Sequence, residues 1–137
     1  SAMTEETYSK IMALVADSPY HCGWDDVTIT NHIDIPLSLG QFITVVDDDE
    51  SLFFFATFAF PKEQHIQEYF RTNTFPVEGY YADGEDIWVI DFICLGGSVD
   101  LSTSFRCLKN LILSMGYKQC FWLRTEKRKL GFHIVKE

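Results

Sequence analysis

Residues 87–97 read Ile-Trp-Val-Ile-Asp-Phe-Ile-Cys-Leu-Gly-Gly, an apolar run preceded by Asp83-Gly84 and closed by two glycines. A run of this length between turn signals predicts a central β-strand, not the alternating pattern of a half-exposed one. Asp91 is the single charge inside it. An ionised carboxylate in a strand core is costly unless something pairs with it, so Asp91 is expected to have a partner. Two kinds would serve: backbone or turn donors, or a histidine that the carboxylate orients for catalysis.

Downstream of this strand, Gly96-Gly97 leads into a long helix starting near Ser98 or Asp100. Leu101, Phe105, Leu108, Leu111, Ile112 and Met115 form its apolar stripe, and Gly116 supplies the stop. Two further strands, 119–124 and 131–135, are expected around the basic turn Glu126-Lys127-Arg128-Lys129. A strand passing through Gly96 and Gly97 into a helix presents backbone N–H groups at the helix start, which suits a phosphate or the amides of a pantetheine arm. Ordinary turn chemistry has the same signature.

Upstream, Thr4-Glu5-Glu6 caps a helix predicted over 5–16, with Tyr8, Ile11, Met12 and Val15 at helical spacing. It should stop before Ser18-Pro19, because the residue before proline is pushed out of the helical region. Tyr20-His21-Cys22-Gly23-Trp24 follows as a loop able to expose its imidazole. Residues 27–35 are expected to form a strand ending at Pro36. Residues 41–46 and 51–60 form a hairpin around Asp47-Asp48-Asp49-Glu50. Pro61 opens a short helix carrying Ile66, Tyr69 and Phe70 and ending near Asn73. Tyr80-Tyr81 is expected to pair with the Asp91 strand as an antiparallel hairpin.

The chain has 137 residues, 47% of them hydrophobic, with twelve Phe. That predicts one α/β or α+β domain, residues 3–137, with Ser1-Ala2 reading as an expression scar. No apolar run approaches the roughly 20 residues a bilayer requires and no signal peptide is evident, so no membrane association and a cytoplasmic location are expected. Cys22, Cys94, Cys107 and Cys120 lie far apart with no Cys-x-x-Cys, so free thiols are expected, Cys94 and Cys107 in the core.

Net charge is −9, unevenly placed. Residues 118–137 carry six basic and two acidic groups, a net of +4, and residues 1–117 carry five basic and eighteen acidic, a net of −13. An acidic body disfavours nucleic acid as a partner. The basic end suits an acidic partner or a phosphate, or is a solvated turn.

These residues together resemble the toxin-activating lysine-acyltransferases, which acylate lysines of RTX protoxins from acyl-acyl carrier protein on a fold similar to the GNAT acetyltransferases. Ser18-Pro19-Tyr20-His21 with Trp24 resembles the family's Ser-Pro-x-His segment. Ile35-Pro36 with Gln41-Phe42-Ile43 and the acidic hairpin resembles its first hairpin. Trp88-Val89-Ile90-Asp91-Phe92-Ile93 with Gly96 resembles its Trp-x-Ile-Asp-Trp-Ile strand, with Phe92 in place of the second Trp, and the chain is shorter at its C-terminal end.

The resemblance implies a GNAT-like α/β (α+β) fold, a mixed and mostly antiparallel sheet flanked by helices. It also implies acyl-acyl carrier protein (or acyl-CoA) as donor with no permanently bound cofactor, a protein acceptor with a target lysine, and a possible homodimer. His21 would be the base that deprotonates the lysine amine and Asp91 its orienting carboxylate. Trp24 and Trp88 would line an acyl-chain channel or belong to the core. Gly96 and Gly97 would meet the donor, and Arg124, Lys127, Arg128 and Lys129 the carrier protein. His32, His65 and His133 read as surface or core residues, and no pair has metal-ligand spacing. Two other readings fit the pattern: an acyl-CoA-dependent GNAT N-acetyltransferase acting on a small amine, and a non-catalytic GNAT-like binding protein.

Overall fold

The computed structural model describes residues 3–123 and 132–136. The protein is α+β, with a mixed sheet flanked by helices. Among the described residues the order is α1 (Glu5–Asp17), α2 (Asp26–Ile29), a π-turn (Thr30–Asp34), α3 (Ile35–Ser38), β1 (Phe42–Val46), β2 (Leu52–Ala59), α4 (Glu63–Thr72), a 3₁₀ turn (Val77–Tyr81), β3 (Trp88–Cys94), α5 (Ser98–Ser114), β4 (Gln119–Leu123) and β5 (Phe132–Lys136). The strands are hydrogen-bonded in chain order, β1 to β5. The chain divides into two compact units, Ser1–Thr57 with Asp91–Leu108, and Phe58–Ile90 with Lys109–Glu137.

In the first unit, the Thr4 hydroxyl accepts from Thr7 N–H at 3.1 Å and caps α1, whose first turn carries Glu5 and Glu6. Ile11, Leu14 and Val15 of α1 pack with Ile33, Leu37, Phe42, Phe55 and Ile93. β1 and β2 form the expected antiparallel hairpin, Phe42 opposite Thr57 and Thr44 opposite Phe55. Its acidic turn closes with Glu50 at a left-handed φ of 67°. Side chains alternate along β3, so Asp91 and Ile93 share one face while Phe92 stands on the other, against Phe54 and Phe105 at ring separations of 6.2 and 5.4 Å.

The segment expected as a strand over 27–35 is helical. Asp25 caps it, its carboxylate accepting from Thr28 N–H at 2.8 Å. The apolar residues Val27, Ile29, Ile33, Ile35 and Leu37 fit period two and also, as Ile29, Ile33 and Leu37, the i, i+4, i+8 spacing of a helix. Burial follows the helical set: Ile33 is fully buried, whereas Val27 is 67% exposed. Pro36 does not end the segment but widens it. Without an N–H it cannot bond the His32 carbonyl, and its ring would strike that group in a regular helix. The π-turn avoids the clash, with Ile35 N–H reaching back five residues to Thr30 O.

In the second unit, β3 runs parallel to β4, Trp88 opposite Phe121 and Val89 opposite Trp122, and β4 pairs antiparallel with β5. Asn73, in the left-handed region at φ 59°, ends α4 where expected. Tyr80-Tyr81 is not a strand. Pro76 starts the 3₁₀ turn, and Tyr80 is buried on Phe75 at 4.9 Å. Asp83-Gly84 is likewise no hairpin turn: Gly84 N–H donates to Phe60 O at 2.7 Å, and a Cβ at Gly84 would lie 2.2 Å from Pro61 O. That close crossing is why glycine stands there.

Candidate functional site

The site is built around the turn that follows α1. Pro19 cannot continue the helix, and the chain instead winds around the Ser18 carbonyl, which accepts from His21 N–H at 3.1 Å and Cys22 N–H at 2.8 Å. This brings the His21 ring back over Ser18, with Nδ1 2.6 Å from Ser18 Oγ. The other ring nitrogen, Nε2, lies 2.8 Å from Asp91 Oδ1 on β3. The expected partner of Asp91 is therefore His21.

The protonation pattern follows from donor chemistry. An ionised carboxylate only accepts, so Nε2 carries the ring proton and donates it to Asp91. In the neutral ring Nδ1 then keeps its lone pair, and the Ser18 hydroxyl donates to it. The three side chains form one directional chain, Ser18 to His21 to Asp91, the order of bonds in a nucleophile–base–acid triad.

Burial corrects two expectations. Asp91 is only half-buried, 19% of its side chain being exposed, and His21, read as an exposable loop residue, is just 4% exposed. Aromatic rings cover it. The Tyr20 ring lies 4.9 Å from His21 and the Trp24 ring 4.6 Å, and Tyr20 itself is 72% exposed. Trp24 thus sits at the site, packed on the imidazole. The His32 ring stands edge-on to the Trp24 ring at 6.1 Å. The sequence places His32 on an expected strand and so among surface or core residues, and it marks Ser18 as a helix stop and as the first residue of the Ser-Pro-x-His segment, without a role for its hydroxyl. The Asp25 cap was the signal that could have corrected the first.

The remaining candidates are placed differently. Trp88 belongs to the second unit, buried in an aromatic cluster with Tyr69, Phe70 and Phe121 at 6.5, 6.2 and 5.4 Å; those are the surroundings of a core residue. Gly96 is required by Asp100, whose carboxylate oxygen would lie 2.4 Å from a Cβ there. That carboxylate accepts from Gly97 N–H at 2.9 Å. A negative group therefore already occupies the start of α5, and a neutral donor fits that junction better than a phosphate. Arg124, Lys127, Arg128 and Lys129 lie outside the described residues.

Among the thiols, Cys22 is exposed, Cys120 is buried, and Cys94 and Cys107 are half-buried instead of lying in the core. Burial pushes the Cys120 thiol up to about 11, so it stays protonated and unreactive. Among the described residues no cluster of three His, Cys, Asp or Glu could hold a metal ion. No helix among them is long and apolar enough to cross a membrane. The chain matches no protein-family model and no curated protein.

Proposed function

We propose that this protein transfers an acyl group from a thioester, carried by acyl carrier protein, to the ε-amine of a lysine on a protein acceptor, on a GNAT-like fold. The observation that carries this reading is the His21 imidazole held at both nitrogens, by Asp91 at 2.8 Å and Ser18 at 2.6 Å. An ammonium has no lone pair, so the acceptor lysine must lose a proton before it attacks. Nδ1 of His21 is the free base, and Asp91 stabilises the imidazolium that forms.

In the transfer, the lysine ammonium gives its proton to Nδ1, displacing the Ser18 hydroxyl from the lone pair or passing through it. The amine nitrogen bonds to the thioester carbonyl carbon, and the tetrahedral intermediate collapses with cleavage of the C–S bond. The leaving thiolate takes the second proton shed by the nitrogen and departs as the thiol, the nitrogen keeps one hydrogen in the new amide, and the proton held on Nδ1 is released to solvent. Charge supports a cationic acceptor: the unit holding His21 and Asp91 contains twelve Asp and Glu against two Lys and Arg, a net of −10.

The test is incubation with palmitoyl- or acetyl-loaded acyl carrier protein, or with the matching acyl-CoA, and a lysine-bearing basic polypeptide, read by intact mass. Acylated acceptor is expected with the carrier-bound donor and none with His21→Gln. Transfer from acyl-CoA to a small amine supplied in place of the polypeptide would favour the GNAT N-acetyltransferase, and none from either donor to either acceptor would leave a binding protein.

A further inference from the structure

His32 is held at this site by backbone geometry. It lies at the middle of the π-turn that Pro36 imposes, and an extra residue in one turn rotates the neighbouring side chains by about 100° relative to a regular helix. So placed, its ring packs on the Trp24 indole at 6.1 Å, and Trp24 in turn packs on His21 at 4.6 Å. Burial holds the His32 imidazole below its ordinary value of 6.5, against the pull of the Asp91 charge. At neutral pH the ring is uncharged.

We propose that His32 is a positioning residue for the His21–Asp91 pair: a ring, set by the π-turn, that fixes the Trp24 indole against His21. A cation at this place would share the Asp91 field and oppose the imidazolium that His21 must become. A neutral ring of the same shape would do neither. The catalytic consequence rests on the acyl-transfer reading, whereas the coupling between the rings does not.

The experiment separates the two. His32→Phe keeps a ring without charge and His32→Lys installs a cation. The His21 ring protons, assigned by their loss in His21→Gln, are followed by NMR through a pH titration. The His21 midpoint in His32→Phe is expected within about 0.3 unit of wild type, and in His32→Lys about one unit or more lower. An unmoved midpoint in the lysine variant, or an equal drop in the phenylalanine variant, overturns the proposal. Should the lysine variant not fold, the Trp24 indole N–H signal decides. Two pH steps are expected in wild type and one in His32→Phe; one step in wild type, or two in the variant, is the overturning result. In the transfer assay, His32→Lys should lower kcat about tenfold with KM little changed, while His32→Phe stays within about threefold. Wild type inactive with every donor would count against acyl transfer and leave the NMR result to decide the role of His32.

Discussion

Asp91 Oδ1 and His21 Nε2 stand 2.8 Å apart although seventy residues separate them in the chain. The contact joins the turn after α1 to the interior of β3, and under the proposed transfer it leaves Nδ1 as the ring nitrogen that would serve as base. A carboxylate at Nε2 requires the proton to sit there. The lone pair at Nδ1 then faces Ser18, whose hydroxyl can give way to an incoming amine or relay its proton.

His21→Ala should abolish acyl transfer and also destabilise the fold. The imidazole is buried under Tyr20 and Trp24, and its loss orphans both Ser18 and Asp91. A cost of roughly 1–3 kcal/mol is expected for such a loss. Thermal melts alongside the transfer assay check both; retained transfer would remove His21 from the chemistry.

Asp91→Asn and Asp91→Ala should both lose transfer but differ in stability. An asparagine amide can donate to Nε2, moving the ring proton to Nδ1 and removing the base while keeping the shape. Alanine leaves the Nε2–H without its acceptor, at about 1–3 kcal/mol. Denaturant midpoints should therefore rank wild type and Asn above Ala, and equal midpoints for Asn and Ala would show that the bond contributes little to folding.

The fold was legible where one signal dominated. Thr4-Glu5-Glu6 marked α1, the acidic tetrad marked the β1–β2 hairpin, and Gly96-Gly97 marked the junction of β3 and α5. The need of Asp91 for a partner was legible because a lone charge in an apolar run must be compensated. Residues 27–35 were not, since their apolar spacing satisfies both a strand and a helix and only the Asp25 cap distinguishes them. Tyr80 and Gly84 were misread for a similar reason. Aromatic-rich turns and Asp-Gly pairs look like hairpins until a long-range contact, here Gly84 on Phe60, fixes them otherwise.

Ser18→Ala tests how far the triad order extends. If the hydroxyl only tunes and relays to Nδ1, the variant should retain transfer at a rate lowered several-fold, about 1 kcal/mol of transition-state stabilisation. If Ser18 instead carries the acyl group, transfer should vanish. An acyl-enzyme seen by intact mass in wild type and absent from Ser18→Ala would establish the covalent route.

His32 gives a pH dependence with a defined sign. Its folded-state imidazole titrates below the 6.5 of an unfolded chain, chiefly because burial disfavours the charged form. The unfolded chain therefore takes up the proton first as pH falls. Stability is fully present above about 6.5 and is lost on acidification until the folded ring itself protonates. Denaturant midpoints from pH 8 to 5 should fall more steeply for wild type than for His32→Gln. Parallel curves would mean that the ring is charged, or absent from the titration, in both states.

The charge of the carrier protein supplies the last expectation. Acyl carrier proteins are acidic, and the unit holding His21 and Asp91 has a net charge of −10. An acidic donor is repelled by that unit unless a positive segment offsets it. Residues 118–137 carry a net of +4, concentrated in Arg124, Lys127, Arg128 and Lys129. Reversing Lys127, Arg128 and Lys129 to Glu should raise KM for the carrier-bound donor and invert its salt dependence, since added salt then screens repulsion instead of attraction. A small acyl-thioester lacking the carrier should be used as before. Equal loss with both donors would instead assign the basic residues to the fold or the acceptor, and unchanged kinetics with either would leave them a solvated segment.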